Sequence, residues 1–345
     1  MSDGVLDEVL ERFAATGPEF GGGLSNHGPM AAEALVAMGR AEAVAPWAEW
    51  YARRLMDHPQ ARNPIDPAAW REVLGDIGRV GDWSAFFRRE LAERPWAQVL
   101  ETWVARLSPG IMAAATHGVI RTGHAVRALD DGETPQRLRE LAEALAYWAA
   151  RYQDLPVANG PSHGMGVGDA LASVRRAEDA GTRGGLIFEV VKGVDAEQFG
   201  PVIHYVATDG DAGAFVSDVT RTFVRQYLAN AQHAAIAFIH SVTAPSALRM
   251  LAPHLSDATL RAAMRYAWQA CASLYAAYGR VDARDVPPVE EHGSFDAADL
   301  IERAVAARDE HAIKFTEACL GEYRVKRDPA FIAAATDVTA RLRRA

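Results

Sequence analysis

Lysine is almost missing from this chain: of its 36 basic residues only Lys192, Lys314 and Lys326 are lysines, and arginine supplies the rest. Cysteine is scarcer still. Cys271 and Cys319 are too few for a disulfide framework, and both sit in apolar helical runs where a thiol acts as a small hydrophobe. Thiolate metal sites and haem-thiolate chemistry therefore lack ligands, and a reducing, cytoplasmic compartment is expected. No window approaches 18 uninterrupted apolar residues, so no membrane span is expected, and the opening "MSDGVLDEVLERFAATG" is acidic and amphipathic, unlike a secretory leader. Positive charge is also in deficit, with a net charge of −9 and arginines interspersed with acids. Phosphate-backbone binding needs a basic face, so a nucleic-acid partner is not expected.

Several catalytic signatures are absent as well. In "HGMGVGDAL" Asp169 stands where the third glycine of a dinucleotide loop belongs, and no strand precedes it, so the stretch reads as a loop. None of the eleven histidines has a glutamate three residues before it, which removes ferritin-type di-iron bundles. None has an acid two residues on, the usual entry to a facial-triad iron site. There is no His-Asp dipeptide, His-x-His pair or HExxH, so HD-type helical metalloenzymes, amidohydrolases and zincins fall too. Any metal must be held mainly by histidine.

What remains is helical. Apolar residues recur at three and four positions in "LDEVLERFAA", "RLRELAEALAYWAARY", "DLIERAVAARDEHAIKFTEACL" and "FIAAATDVTARLRRA". Turn signals such as "FGGGLSNHGP", "LSPG", "LDDGETP" and "VATDGDAG" separate these runs. Only "GGLIFEVVKGV", residues 184–194, reads as a strand, through its β-branched content, and a buried helix start would look similar. Residues 155–169 and 280–294 are the longest loop candidates, suited to lids or crossovers. The expectation is an all-α fold, one large helical domain over residues 1–345.

Four histidines stand in unusual settings. His27 lies in "SNHGPM", where Pro29 can open a helix and fix the direction of the imidazole. His117, Arg121 and His124 share one face of a small-residue helix read over "IMAAATHGVIRTGHAVRAL", where Gly118 and Gly123 allow close approach. His240, in "AQHAAIAFIHSVTAPSALRML", has His233 seven residues earlier on the same face, and His311 precedes Lys314 by one turn in "RDEHAIKFTEA". Each imidazole alone reads as a core residue bonded to a carbonyl; four on separate elements also admit a shared cation. His58, His163, His254 and His292 read as surface or lid residues, and His204 is left undecided. Lys314 has two readings. It snorkels or pairs with Glu310 or Glu317, as most helical lysines do, or burial renders it neutral and able to take up carbon dioxide as a carbamate on a helix read as having no inward carboxylate. The residues alone favour the first.

The ordered segments "LSNHGPMAAEAL", "HGVIRTGHAVRAL", "FIHSVTAPSALRML" and "DEHAIKFTEA", across residues 24 to 318, resemble the questin oxidase-like family, oxygenases of polyketide pathways that open the central ring of anthraquinones. The resemblance implies an all-helical fold and a non-haem iron, Fe(II), bound by His27, His117, His240, His311 and a carboxylated Lys314. It implies a small aromatic polyketide and dioxygen as substrates, with carbon–carbon cleavage beside a carbonyl. NADPH serves some relatives, although no binding motif for it is seen here. His124, His233 and Asn26 are candidates to orient the ligands, and Arg121 to hold a substrate oxyanion. Two rival readings use the same residues otherwise: a zinc hydrolase of an ester or lactone, and a metal-free helical binding protein.

Overall fold

The computed structural model of the chain describes residues 2–182, 184–286, 288–289 and 295–343; His292 and part of the expected 280–294 loop lie outside the described residues. Contacts divide the chain into two compact units, Met1–Asp154 with Met250–Thr259, and Leu155–Arg249 with Leu260–Ala345.

The first unit carries α1 (Ser2–Phe13), a short hairpin of β1 (Glu19–Phe20) and β2 (Leu24–Ser25), then α2 (Gly28–Ala37), α3 (Ala41–Ala52), α4 (Val80–Glu93), α5 (Trp96–Leu107), α6 (His117–Asp130) and α7 (Pro135–Ala150). Local signals set the helix starts. Pro29 occupies the first turn of α2, where its missing N–H costs nothing. Thr134 caps α7, its hydroxyl accepting from the Arg137 N–H, with Pro135 in the first turn. The core of this unit is aromatic. Trp103 is fully buried and meets Trp70, Trp83, Phe86 and Phe87 edge-on at centroid distances of 5.2, 5.8, 5.4 and 4.8 Å, an arrangement that sets ring edges against ring faces.

The second unit holds α8 (Val167–Ala172), α9 (Ile187–Val191), α10 (Ala196–Phe199), most of α11 (Ala212–Leu251) and α12 (Asp257–Tyr278), α13 (Ala297–Ala307), α14 (Glu310–Val325) and α15 (Pro329–Arg341). Residues 187–191 are a helical turn, not a strand. No described strand lies there to pair with, so the backbone satisfies its own hydrogen bonds while Phe188, Val190 and Val191 are buried. The helical run Ala212–His254 is by length and composition apolar enough to cross a membrane, and 78% of its most apolar window is buried within the protein, as in the core helix of a globular protein.

Helices α11 and α14 are locked together by a buried polar cluster. Glu322 of α14 accepts from Arg249 Nε at 3.0 Å and Nη2 at 2.7 Å, and from the hydroxyls of Ser246 and Thr220, both at 3.1 Å. Glu322 is buried while Arg249 is partly exposed, so removing the arginine costs roughly 1–3 kcal/mol through the carboxylate left without it. Tyr227 of α11 packs on Phe315 of α14 at 4.6 Å between centroids. The fold thereby fixes the helix carrying His240 against the helix carrying His311 and Lys314. A turn earlier, Asp309 caps α14 by accepting from the His311 and Ala312 N–H groups.

Candidate functional site

In the first unit the loop entering α2 is braced from both sides. Asn26 donates through Nδ2 to the Gly17 carbonyl at 2.9 Å and to Thr16 Oγ1 at 3.1 Å, while its Oδ1 accepts from the Gly28 N–H at 2.9 Å. The His27 N–H donates to the Tyr51 hydroxyl at 2.8 Å. Gly28 is required here, because a Cβ would lie 2.6 Å from the Phe13 ring. The Asn26 side chain thus secures the backbone around His27.

His117 is placed by an unusual backbone. The helix read over residues 111–129 begins only at His117, since Ala114, Ala115 and Thr116 hold φ of 48°, 58° and 70°. Three successive left-handed L-residues cost roughly 1–2 kcal/mol each, and alanine propensity alone would continue the helix. Burial of Ile111 through Ala115, each at most 4% exposed, overrides it. The turn carries the Ala114 carbonyl to 2.5 Å from His117 Nδ1. With Nδ1–H donated there, Nε2 of His117 keeps its lone pair, and it lies 3.1 Å from Nε2 of His27. That separation suits two imidazoles bound at about 2.1 Å to one cation at nearly a right angle. Both rings are at most 5% exposed.

Arg121, His124 and Arg127 on α6 face carboxylates. Arg121 donates from Nε and Nη2 to the two oxygens of Glu140 on α7, at 2.6 and 2.8 Å. His124 Nδ1 lies 2.6 Å from Glu33 on α2, and Arg127 forks onto the same carboxylate at 2.7 and 2.6 Å. Burial pushes the Glu33 carboxyl up, but the Arg127 charge and the hydrogen bonds from His124 and Arg127 prevail and hold it at about 2. The Arg121 fork read as a grip for a substrate oxyanion is filled by Glu140. Gly118 lets α7 close on α6: a Cβ there would stand 2.7 Å from Trp148 Cγ.

In the second unit the His240 and His311 rings stack at 5.9 Å between centroids and 24° between planes. Lys314 is 2% exposed. Burial brings its amine down to about 7, against the opposing pull of Glu310 and Asp309. It does not snorkel. The sequence reading that α14 has no inward carboxylate is corrected, since Asp309, Glu310 and Glu317 are all buried, and ligand atoms of Asp309, Glu310 and His311 lie within 4.8 Å of one another. Periodicity could not reveal this, because acids on a helix, in its first turn or its interior, are ordinarily solvated.

His233 is separated from His240 by a non-helical residue, Ala234, with φ −141° and ψ 34°. The seven-residue spacing therefore no longer sets a common face. His233 Nε2 lies 3.2 Å from the Tyr278 carbonyl, and burial lowers its pKa. Among the histidines read as surface residues, His58 is instead mostly enclosed, its Nε2 2.8 Å from Glu143 in a cluster with Ser84 and Arg88. Serine and carboxylate approach the same ring nitrogen, so this is an ion cluster and not a relay. His204 Nε2 meets the Ala158 carbonyl at 2.8 Å. Cys271 and Cys319 are buried, unpaired thiols whose pKa burial raises.

The donor set so far is imidazole, amine and carboxylate oxygen, the set that suits iron or zinc. No curated protein matches the chain. The sequence model of one family does, over residues 24–231, a span that includes His27 and His117 and ends before His240, His311 and Lys314. Because that match covers more than half of its length, the chain belongs to the questin oxidase-like family.

Proposed function

We propose that the protein is a non-haem iron oxygenase that cleaves a carbon–carbon bond in a polycyclic, anthraquinone- or anthrone-like polyketide, with His27, His117, His240, His311 and Lys314 as the metal-holding residues. The observation that carries the reading is the His27–His117 pair, two buried Nε2 atoms 3.1 Å apart within the span that matches the family. When bound, the iron supplies the means to bring ground-state dioxygen and an electron-rich substrate into reaction. The protein's own groups do the rest. The Ala114 carbonyl fixes the His117 tautomer. Lys314, brought down to about 7 and so partly neutral at that pH, can add carbon dioxide in its neutral form and release a proton to become an oxygen-donor anion; Glu310 offers an anion in the same turn without that modification. Arg121 and His124, bonded to Glu140 and Glu33, hold α6 between α7 and α2 and so keep His117 in place.

Element analysis of the purified protein tests the reading. Stoichiometric iron is expected, lost in His117→Ala and in His240→Ala, together with oxygen uptake on adding a reduced anthraquinone. Stoichiometric zinc with ester turnover indifferent to oxygen would replace this reading by a hydrolase, and metal content unchanged in both variants would replace it by a binding protein.

A further inference from the structure

The second unit carries a cleft of about 630 Å³ between the segment after α8 and the end of α12. Four arginines line it, Arg175, Arg176, Arg280 and Arg284, against two acids, Glu178 and Asp282, among the described residues. In a chain whose net charge is −9 this is a local surplus of cations.

Both walls are built. The Ala177 and Gly181 N–H groups donate to the Ala276 and Ala277 carbonyls, each at 2.9 Å. On the other side the buried Asn230 accepts through Oδ1 from the N–H groups of Arg280 at 2.8 Å and Val281 at 3.2 Å. The guanidinium groups are held chiefly by neutral acceptors. Arg176 Nη1 donates to the Arg280 carbonyl and Arg280 Nη2 to the Gly181 carbonyl, each at 2.7 Å, and Arg284 Nη2 donates to the Ala172 carbonyl. A carbonyl orients a guanidinium without cancelling its charge. Asp282 alone is shared, receiving Arg176 Nη2 at 3.2 Å and Arg284 Nη1 at 3.5 Å. The field shows in the neighbours. The Arg284 N–H and, against burial, the Arg176 and Arg284 charges hold the Asp282 carboxyl below its usual range, and Arg280 adds to the burial that lowers His233.

We propose that this cleft binds the phosphate monoester of a small organic molecule. The surplus of two positive charges matches a dianion, guanidinium forks match phosphate oxygens, and the volume leaves room for an organic body beyond the phosphate.

The test is calorimetric titration of the full chain with ribose 5-phosphate, inorganic phosphate and ribose. Ribose 5-phosphate is expected to saturate with a Kd of about 1 mM or tighter, inorganic phosphate more weakly, and ribose not at all. Arg175 is exposed, so Arg175→Glu is expected to weaken the phosphates roughly tenfold while the thermal midpoint in phosphate-free buffer stays put. Arg284→Gln serves as the second variant. Arg303→Gln on α13, whose partner is Asp299, is the control and is expected to bind as the parent does. Absence of saturable binding by either phosphate overturns the proposal, as does equal weakening in the Arg303 control. Inorganic phosphate binding as tightly as ribose 5-phosphate overturns the assignment to an organic monoester.

Discussion

His117 Nδ1 stands 2.5 Å from the carbonyl oxygen of Ala114, three residues before it, and the left-handed turn between them is what makes that contact possible. In a continuous helix the carbonyl of residue 114 would point along the axis toward residue 118, and the imidazole could not reach it. Strain is thus placed next to the residue it orients. Glycine adopts this conformation without penalty, so Ala115→Gly is expected to raise stability by up to about 1 kcal/mol, where the same change inside a helix lowers it by about as much. Denaturant titration of the metal-free protein reads this directly; a loss of stability would show that residue 115 is unstrained.

How much of this was legible beforehand differs from residue to residue. "SNHGPM" announced a helix opening at Pro29, and α2 starts there, because proline and the residues before it act locally. The run "DLIERAVAARDEHAIKFTEACL", read as continuous, is instead divided into α13 and α14 by the left-handed Arg308, with Asp309 capping the second helix. The turn at 114–116 could not be read, since two alanines and a threonine, none of them a helix breaker, take their conformation from buried surroundings distant in sequence. The break at Ala234 is hidden for the same reason, nothing in "NAQHAAIA" being a helix breaker. The partners of Arg121 and His124 were also out of reach: Glu140 lies 19 residues away and Glu33 lies 91, and charge pairing at such separations leaves no periodic trace.

Glu33 collects His124 and Arg127 in one buried place. Its carboxyl is held at about 2 against 4.5 when unfolded. A depressed acid contributes stability above the unfolded value and loses it as pH falls through the folded one. The window runs from about 4.5 down to about 2, with Glu143 adding to it through His58 and Arg88. Glu33→Gln is expected to cost roughly 2–4 kcal/mol at pH 7, an amount reduced by the partial exposure of Arg127. The loss should shrink toward pH 2. A loss that stayed constant across this window would mean that the carboxylate charge is not what matters.

Gly118 tests the packing of α6 on α7. A methyl there would meet Trp148 Cγ at 2.7 Å and its Cα at 2.9 Å, and the backbone atom cannot turn aside. Gly118→Ala is therefore expected to destabilise by about 1–3 kcal/mol despite the better helix propensity of alanine. Because His117 is the adjacent residue, bound metal should fall with it. Unchanged stability would mean that the two helices have slack.

Lys314 carries the sharpest pH signature. Its amine is held at about 7 by burial, where an unfolded lysine titrates at 10.5. For a base lowered on folding, the folded chain binds fewer protons than the unfolded chain between those two values. Stability of the metal-free protein therefore rises as pH climbs from about 7 to about 10.5, and below 7 the penalty is present in full. Methionine fills a similar volume with no charge to desolvate, so, beyond a constant offset from the lost pull on Glu310 and Asp309, Lys314→Met should lack the pH-dependent penalty of the parent, a difference of a few kcal/mol at pH 7. The difference should close toward pH 10.5. The same variant loses the buried amine at position 314, so under bicarbonate at neutral pH a gain of 44 Da, the mass of CO2, located at residue 314 is expected in the parent and not in the variant. A parent and a variant with parallel stability profiles would place the ammonium in contact with water and remove Lys314 from the candidate metal-holding set.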